Sequence, residues 1–251
     1  MNNGSLKMEI SDIFKDAFKF PASNWNRFLI LGIIILASTL LAMPTIYFKN
    51  NPYILLTFLI AYIIQLFIMG YTLRTIKISI NGEDELPAFN KWIEMFIDGI
   101  KIFIISLLYS IIPSIFIIIG VFIAVFSSIH TGNLQLNFLN PATLVFLAIG
   151  GLLYILVMFF YQIGIANMAY HGKLEAALRL SEIRNIIRKI GWKKYLAVFI
   201  ILIIISGASS VFGYFLNRMP VYLPIIFAIL ISPYLGLFRS RSLGLIYKEA
   251  L

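Results

Sequence analysis

Long apolar runs separated by short charged segments dominate the chain. Six runs reach or approach the roughly 20 residues that a helix needs to cross a bilayer. They cover residues 28–48, about 53–73, 102–126, a charge-free stretch within 142–170, 196–216, and a shorter sixth, about 221–238. Strands of a membrane barrel would alternate polar and apolar side chains over about 10 residues, whereas these runs are solidly apolar. The pattern predicts an all-α polytopic membrane protein with six transmembrane helices. The first run is longer than a signal-peptide core of about 7–15 residues, so it reads as an uncleaved span.

A second pattern lies in the charged segments. Apolar residues at i, i+3, i+4 and i+7 mark an amphipathic helix. Ile10, Ile13, Phe14, Ala17 and Phe18 fall on one face of residues 9–19. Phe89, Trp92, Ile93, Phe96, Ile97 and Ile100 do so over 89–101, and Ala176, Leu180, Ile183, Ile187 and Ile190 over 173–190, where Gly191 is a suitable stop. The chain therefore reads as amphipathic helix, span, span, three times over, with pseudo-repeats of about 6–73, 84–170 and 171–250 in a single membrane domain. Repeats of one orientation imply a pseudo-axis along the membrane normal. The expectation is three hairpins, each preceded by a cytoplasmic amphipathic helix that either lies among the headgroups or caps the bundle.

Composition agrees with the periodicity. Hydrophobic residues make up 61% of the 251 and charged residues 12%, and the mean hydropathy is +0.94. A water-soluble domain is about 45–50% apolar and about 25% charged. This excludes an ordinary soluble enzyme, a disordered chain and a free nucleic-acid-binding domain. There is no cysteine, hence no disulfide, thiolate metal site or thiol nucleophile.

The net charge of +9 is a matter of topology. Lys7, Lys15, Lys19 and Arg27 precede the first span; Arg74, Lys77, Lys91 and Lys101 follow the second; Lys173, Arg179, Arg184, Arg188, Lys189, Lys193 and Lys194 follow the fourth; Arg239, Arg241 and Lys248 lie in the tail. Only Lys49 and Arg218 fall on the other side, and all the acidic residues share the basic side. By the positive-inside rule both termini are expected in the cytoplasm and the protein in the plasma membrane.

Three sets of residues are candidates for function. Residues 171–195 hold seven basic and two acidic residues, a net of +5. Basic residues beside a span attract anionic lipid, at about 1 kcal/mol each, which nominates Arg184, Arg188, Lys189, Trp192, Lys193 and Lys194 as headgroup contacts. Glu94 and Asp98 are four apart, and like charges at that spacing cost a few tenths of a kcal/mol unless offset. Lys91 and Lys101 can offset them locally, or Arg74, Arg239 and Arg241 from other segments, in a cytoplasmic charge network; the alternative is a cation or headgroup site. Within the spans, Gln65, Gln162 and Asn167, the break at Pro113, and Ser210 on a small-residue face with Ser206, Gly207 and Gly213 serve either helix packing or a weakly polar cavity. Pro44, Pro224 and Pro233 are further breaks, and Leu134, Leu136 and Phe138 of the outer connection read as a fold-back onto the bundle mouth.

Leu86, Pro87 and Phe89, then an aromatic, then Phe96, Asp98, Gly99 and Lys101, together with Pro233, Tyr234, Arg239, Arg241, Gly244 and Tyr247 in the tail, resemble the motifs of an uncharacterised family of prokaryotic, mainly archaeal, polytopic membrane proteins of unknown function. More distantly, the hairpin plan is similar to the membrane domains of some glycerophosphodiesterases, without their catalytic domain. The resemblance implies a membrane fold and no activity.

No catalytic residue, cofactor or metal site is expected. His130 and His171 lie at opposite ends of the spans, and there is no phosphate-binding loop, Gly-x-Ser-x-Gly or His-Glu-x-x-His. The reading is a non-catalytic membrane protein that organises lipids or protein partners through its cytoplasmic helices. Its expected partners are anionic headgroups, and a second copy or another membrane protein, not nucleic acid. The alternative is a transporter or flippase-like protein for a neutral or lipidic substrate.

Overall fold

A computed structural model describes residues 8–42, 53–130, 136–216, 218–220 and 222–251. Nine α-helices occur among them, and no strand. They are α1 (Ile10–Lys19), α2 (Trp25–Ala42), α3 (Ile54–Asn81), α4 (Trp92–His130), α5 (Pro141–His171), α6 (Leu180–Ile190), α7 (Trp192–Leu216), α8 (Tyr222–Ile226) and α9 (Ser232–Lys248). A π-helical turn, Phe227–Ile231, joins α8 to α9. Six helical stretches are long and apolar enough to cross a membrane, the sixth running from Tyr222 to Lys248. The protein is therefore a helical, multi-pass membrane protein. Pro44, Lys49, Leu134 and Gln135 lie outside the described residues.

The helices outrun the apolar runs. Those about 53–73 and 221–238 continue to Asn81 and Lys248, because nothing in the charged residues that follow stops a helix. Gly82 ends α3 with φ of 82°. Its N–H and that of Glu83 bond back to the carbonyls of Ser79 and Ile78, at 3.2 and 3.0 Å. This Schellman pairing requires a residue with positive φ.

Two compact units divide the chain, residues 1–103 with 163–251, and residues 104–162. In the larger unit, Phe20, Phe28, Leu31, Tyr71, Leu86, Met95 and Leu237 form a buried cluster. The Leu86-Pro87-x-Phe89 motif belongs to it. Leu86 is buried, Phe89 stacks on Tyr71 at 4.4 Å, and the Tyr71 hydroxyl donates to the Pro87 carbonyl at 2.9 Å. Ser23 accepts from the Leu86 N–H at 3.1 Å, and Arg27 donates to the Leu86 carbonyl. The motif is thus a plug holding the turn between α3 and α4 on the core.

Arg241, 2% exposed, ties the ends of three elements together. It donates to Asp16 and Asp84, each at 2.6 Å, and to the Glu83 carbonyl, and its guanidinium lies 4.6 Å over the Phe20 ring. A buried guanidinium needs acceptors of this kind for its N–H donors.

The amphipathic segments differ from expectation. No separate helix precedes the third span. Residues 92–101 are the first turns of α4, and the inward residues are Met95, Gly99 and Ile102, while Trp92, Ile93 and Ile97 of the expected stripe point out. The reason is the neighbouring helix. A Cβ at Gly70 would strike the Met95 carbonyl, and one at Gly99 would strike the Leu66 carbonyl, so α3 and α4 touch backbone to backbone and that contact selects the face.

In the smaller unit, residues 104–130 of α4 and 141–162 of α5 pack through Tyr109 on Tyr161 at 5.6 Å and Phe116 on Phe146 at 6.4 Å. Pro113 does not end α4, which runs on to His130. The Asn137 N–H donates to Ser128 at 2.8 Å, so the described part of the outer connection turns back onto α4.

Candidate functional site

The last turns of α3 and α5 and the first turns of α4 meet around a cleft of about 250 Å³. Arg74 and Lys77 of α3 and Glu94, Asp98 and Lys101 of α4 line it, over a wall of Leu73, Ile97, Met168 and Ala169. The close contacts of Gly70 with the Met95 carbonyl and of Gly99 with the Leu66 carbonyl set the two helices so that Arg74 reaches across. Its guanidinium donates to the carbonyls of Asn90 and Lys91 at 2.6 and 2.8 Å. Those carbonyls open α4, where Lys91 sits at φ of 51°.

The Glu94–Asp98 repulsion is offset locally. Lys101 pairs with Asp98 at 2.9 Å and Lys91 with Glu94 at 3.3 Å, the latter pair well exposed. Lys77 is exposed and has no ion-pair partner among the described residues. The structure thus brings Arg74, Glu94 and Asp98 of the expected network to one cleft and leaves out the two tail arginines. Arg241 serves Asp16 and Asp84 instead, and half-buried Arg239 does not line the cleft.

The basic segment around α6 divides in two. Ile183, Ile186, Ile187 and Ile190 are at most 7% exposed. Most of the apolar face of α6 is packed in protein, while Leu180 of the expected stripe is exposed. Arg184, Arg188 and Lys193 point outward, and none enters an ion pair among the described residues. Trp192 is half-exposed beside them. Lys194 is a structural residue. It pairs with the Glu249 carboxylate at 2.6 Å and donates to the Met8 carbonyl, joining the N-terminal segment to the tail. Lys189 donates to the Ala250 carbonyl at 2.8 Å.

The residues expected around a cavity fall in both units. Gln65 is half-buried on α3, and Pro113 and Gln162 belong to the smaller unit, where the Gln162 amide oxygen is buried without a partner among the described residues. Asn167 is fully engaged, donating to the Ala176 carbonyl at 2.9 Å and accepting from the Tyr247 hydroxyl at 2.6 Å. Ser210 lines a cavity of about 410 Å³, together with Thr39, Gly213, Tyr214, Pro224, Phe227 and Ser232. That cavity lies beside the π-helical turn, a feature frequent at functional sites.

One polar cluster has no signal in the sequence. His171 bonds the Glu182 carboxylate at 2.8 Å, and Arg179 lies 3.5 Å from its other oxygen. Burial by itself would raise the Glu182 pKa, but hydrogen bonds from His171, Asn167 and Arg179 outweigh it and hold the carboxyl below its usual range. The cluster reaches Tyr247 through Asn167, joining α5, α6 and α9.

A family model described as "Protein of unknown function (DUF4013)" matches residues 53–217. A similar protein is the uncharacterized protein MJ1189 of Methanocaldococcus jannaschii, 29% identical, with the match covering 76% of this chain and 71% of the relative. No solved structure matches. The family match spans well over half of the chain, which therefore belongs to the DUF4013 family.

Proposed function

Starting from membership of a family whose description carries no activity, we propose that this protein is a non-catalytic membrane organiser that gathers anionic lipid headgroups on its basic side. That side faces the cytoplasm, with both termini, in the plasma membrane. The observation that supports the reading is the division of labour on α6: an apolar face packed into protein, and Arg184, Arg188 and the adjacent Lys193 turned outward unpaired among the described residues. A cation left outward beside an apolar span, with Trp192 at the same level, meets the headgroup layer, where each attracts anionic lipid by about 1 kcal/mol.

Native mass spectrometry from nanodiscs tests it. Wild type is expected to retain more phosphatidylglycerol than an Arg184→Gln, Arg188→Gln, Lys193→Gln triple variant of equal thermal stability. An unchanged number of retained lipids at low salt overturns the proposal.

A second reading, passage of a neutral or lipidic substrate, is supported by the cavity of about 410 Å³ beside the interrupted sixth stretch. A Ser210→Leu, Ser232→Leu variant that folds is then expected to lose flux of a fluorescent lipid in proteoliposomes. Undiminished flux, or none in the wild type, refutes it.

A further inference from the structure

We propose that the cleft between α3, α4 and α5 is a specific site for a phosphate-bearing headgroup that also carries a primary amine. This rests on the lipid-organising reading but uses different residues. Lys77 carries it: a cation lining the cleft with no ion-pair partner among the described residues, while the neighbouring Lys101 is held by Asp98 and Arg74 by two carbonyls. A phosphate at Lys77 would share the positive field of Arg74 and Lys101.

Glu94 and Asp98 line the same cleft. They disfavour a bare anion there, and they favour a ligand whose phosphate is followed by an ammonium. A primary ammonium brings three N–H donors for these carboxylates; a quaternary one brings none. Glu94 is the more available, because its partner Lys91 is exposed and such pairs are worth about 0–1 kcal/mol. At about 250 Å³ the cleft is smaller than the roughly 300–1,000 Å³ of drug-sized pockets, which suits a headgroup. Its apolar wall of Leu73, Ile97, Met168 and Ala169 lies where the charged helix ends give way to the spans, as the glycerol end of a lipid would need.

Native mass spectrometry of the full chain in phosphatidylcholine nanodiscs doped with phosphatidylethanolamine or phosphatidylglycerol tests this. One phosphatidylethanolamine is expected to stay bound preferentially. Lys77→Ala is expected to weaken it at least tenfold and Lys77→Arg to keep it. Glu94→Gln is expected to abolish the preference over phosphatidylglycerol while leaving a lipid bound. Calorimetry of delipidated protein with O-phosphoethanolamine separates the sources: binding that Lys77→Ala removes supports a soluble ligand of the same chemistry, and its absence beside retained lipid supports the lipid. Retention and calorimetry both unaltered by Lys77→Ala overturn the cleft site, as does equal retention of all three lipids. The Arg184, Arg188, Lys193 triple variant is expected to leave the single phosphatidylethanolamine in place, so each proposal fails on its own variant.

Discussion

Residues 92–101 and 180–190 carry the same sequence pattern and meet opposite fates. Both show apolar positions at helical spacing among charges. Residues 180–190 become α6, a free-standing helix whose apolar face is buried in protein. Residues 92–101 become the first turns of a 39-residue helix, and two of their expected inward residues, Ile93 and Ile97, are 77% and 45% exposed. Two physical facts account for the difference. Gly191, at φ of 103°, ends α6, while no breaker stands between Lys101 and Ile102. And beside a membrane an apolar face has two possible homes, protein and lipid, so periodicity finds the helix without choosing the side it buries.

The largest expected effect breaks the comparison at its centre. Ile187 is fully buried, and truncating such a side chain costs about 2–5 kcal/mol. Ile187→Ala is expected to lower the melting temperature strongly, whereas Ile93→Ala stays within about 0.5 kcal/mol, as for an outward position. Thermal unfolding of both variants in one detergent checks this; comparable losses would mean that residues 92–101 are packed as α6 is.

Next comes the contact that selects the α4 face. Glycine to alanine inside a helix ordinarily gains about 0.5–1 kcal/mol. At Gly99 the added methyl meets the Leu66 carbonyl, so the sign reverses and Gly99→Ala is expected to cost about 1–3 kcal/mol, the usual range for overpacking. A stabilised Gly99→Ala protein would show that α3 and α4 do not touch there.

A smaller effect concerns the junction of α5 with α6. The Glu182 carboxyl is held below its usual range. A group with a lowered folded-state pKa adds stability above its ordinary value, and that stability is lost as pH falls through the folded-state pKa. Acidification below the ordinary carboxylate range is expected to loosen α6 first. Hydrogen exchange followed across that range should show early opening of 180–190, and Glu182→Gln should remove the pH dependence. Early opening of residues 92–101 instead would contradict the assignment.

How far the sequence reads depends on whether the cause is local. The six apolar stretches and the all-helical class are legible because each bilayer-length run reports on itself. Residues of the cleft are legible in part: Glu94 and Asp98 announce themselves by spacing, and Lys101 answers three residues later. Arg241 is not. Its partner Asp16 is 225 residues away, and nothing in the chain tells an arginine held by a remote acid from one at the headgroups. Lys194 is misleading for the same reason, since Glu249 is 55 residues off. The plug at Leu86–Pro87–Phe89 stands out as a motif, but its packing against Tyr71 and Arg27 needs the fold.

The smallest effect sharpens the boundary between the turn and α4. Lys91 is the only described non-glycine residue with positive φ, 51°, and it stands where Arg74 gathers the carbonyls that open the helix. A side chain in that region costs about 1–2 kcal/mol relative to glycine, while glycine gives back part of this by loosening the unfolded chain. Lys91→Gly also removes the exposed pair with Glu94, worth about 0–1 kcal/mol. The terms leave a net change of about 1 kcal/mol or less, in the stabilising direction, with the Arg74 bonds intact because they go to backbone. Lys91→Ala keeps the strain and loses the pair, so it should fall below wild type. Melting temperatures ranked Lys91→Gly, wild type, Lys91→Ala fit a strained helix start in place of a free-standing amphipathic helix; the reverse order would return residues 92–101 to the class of α6.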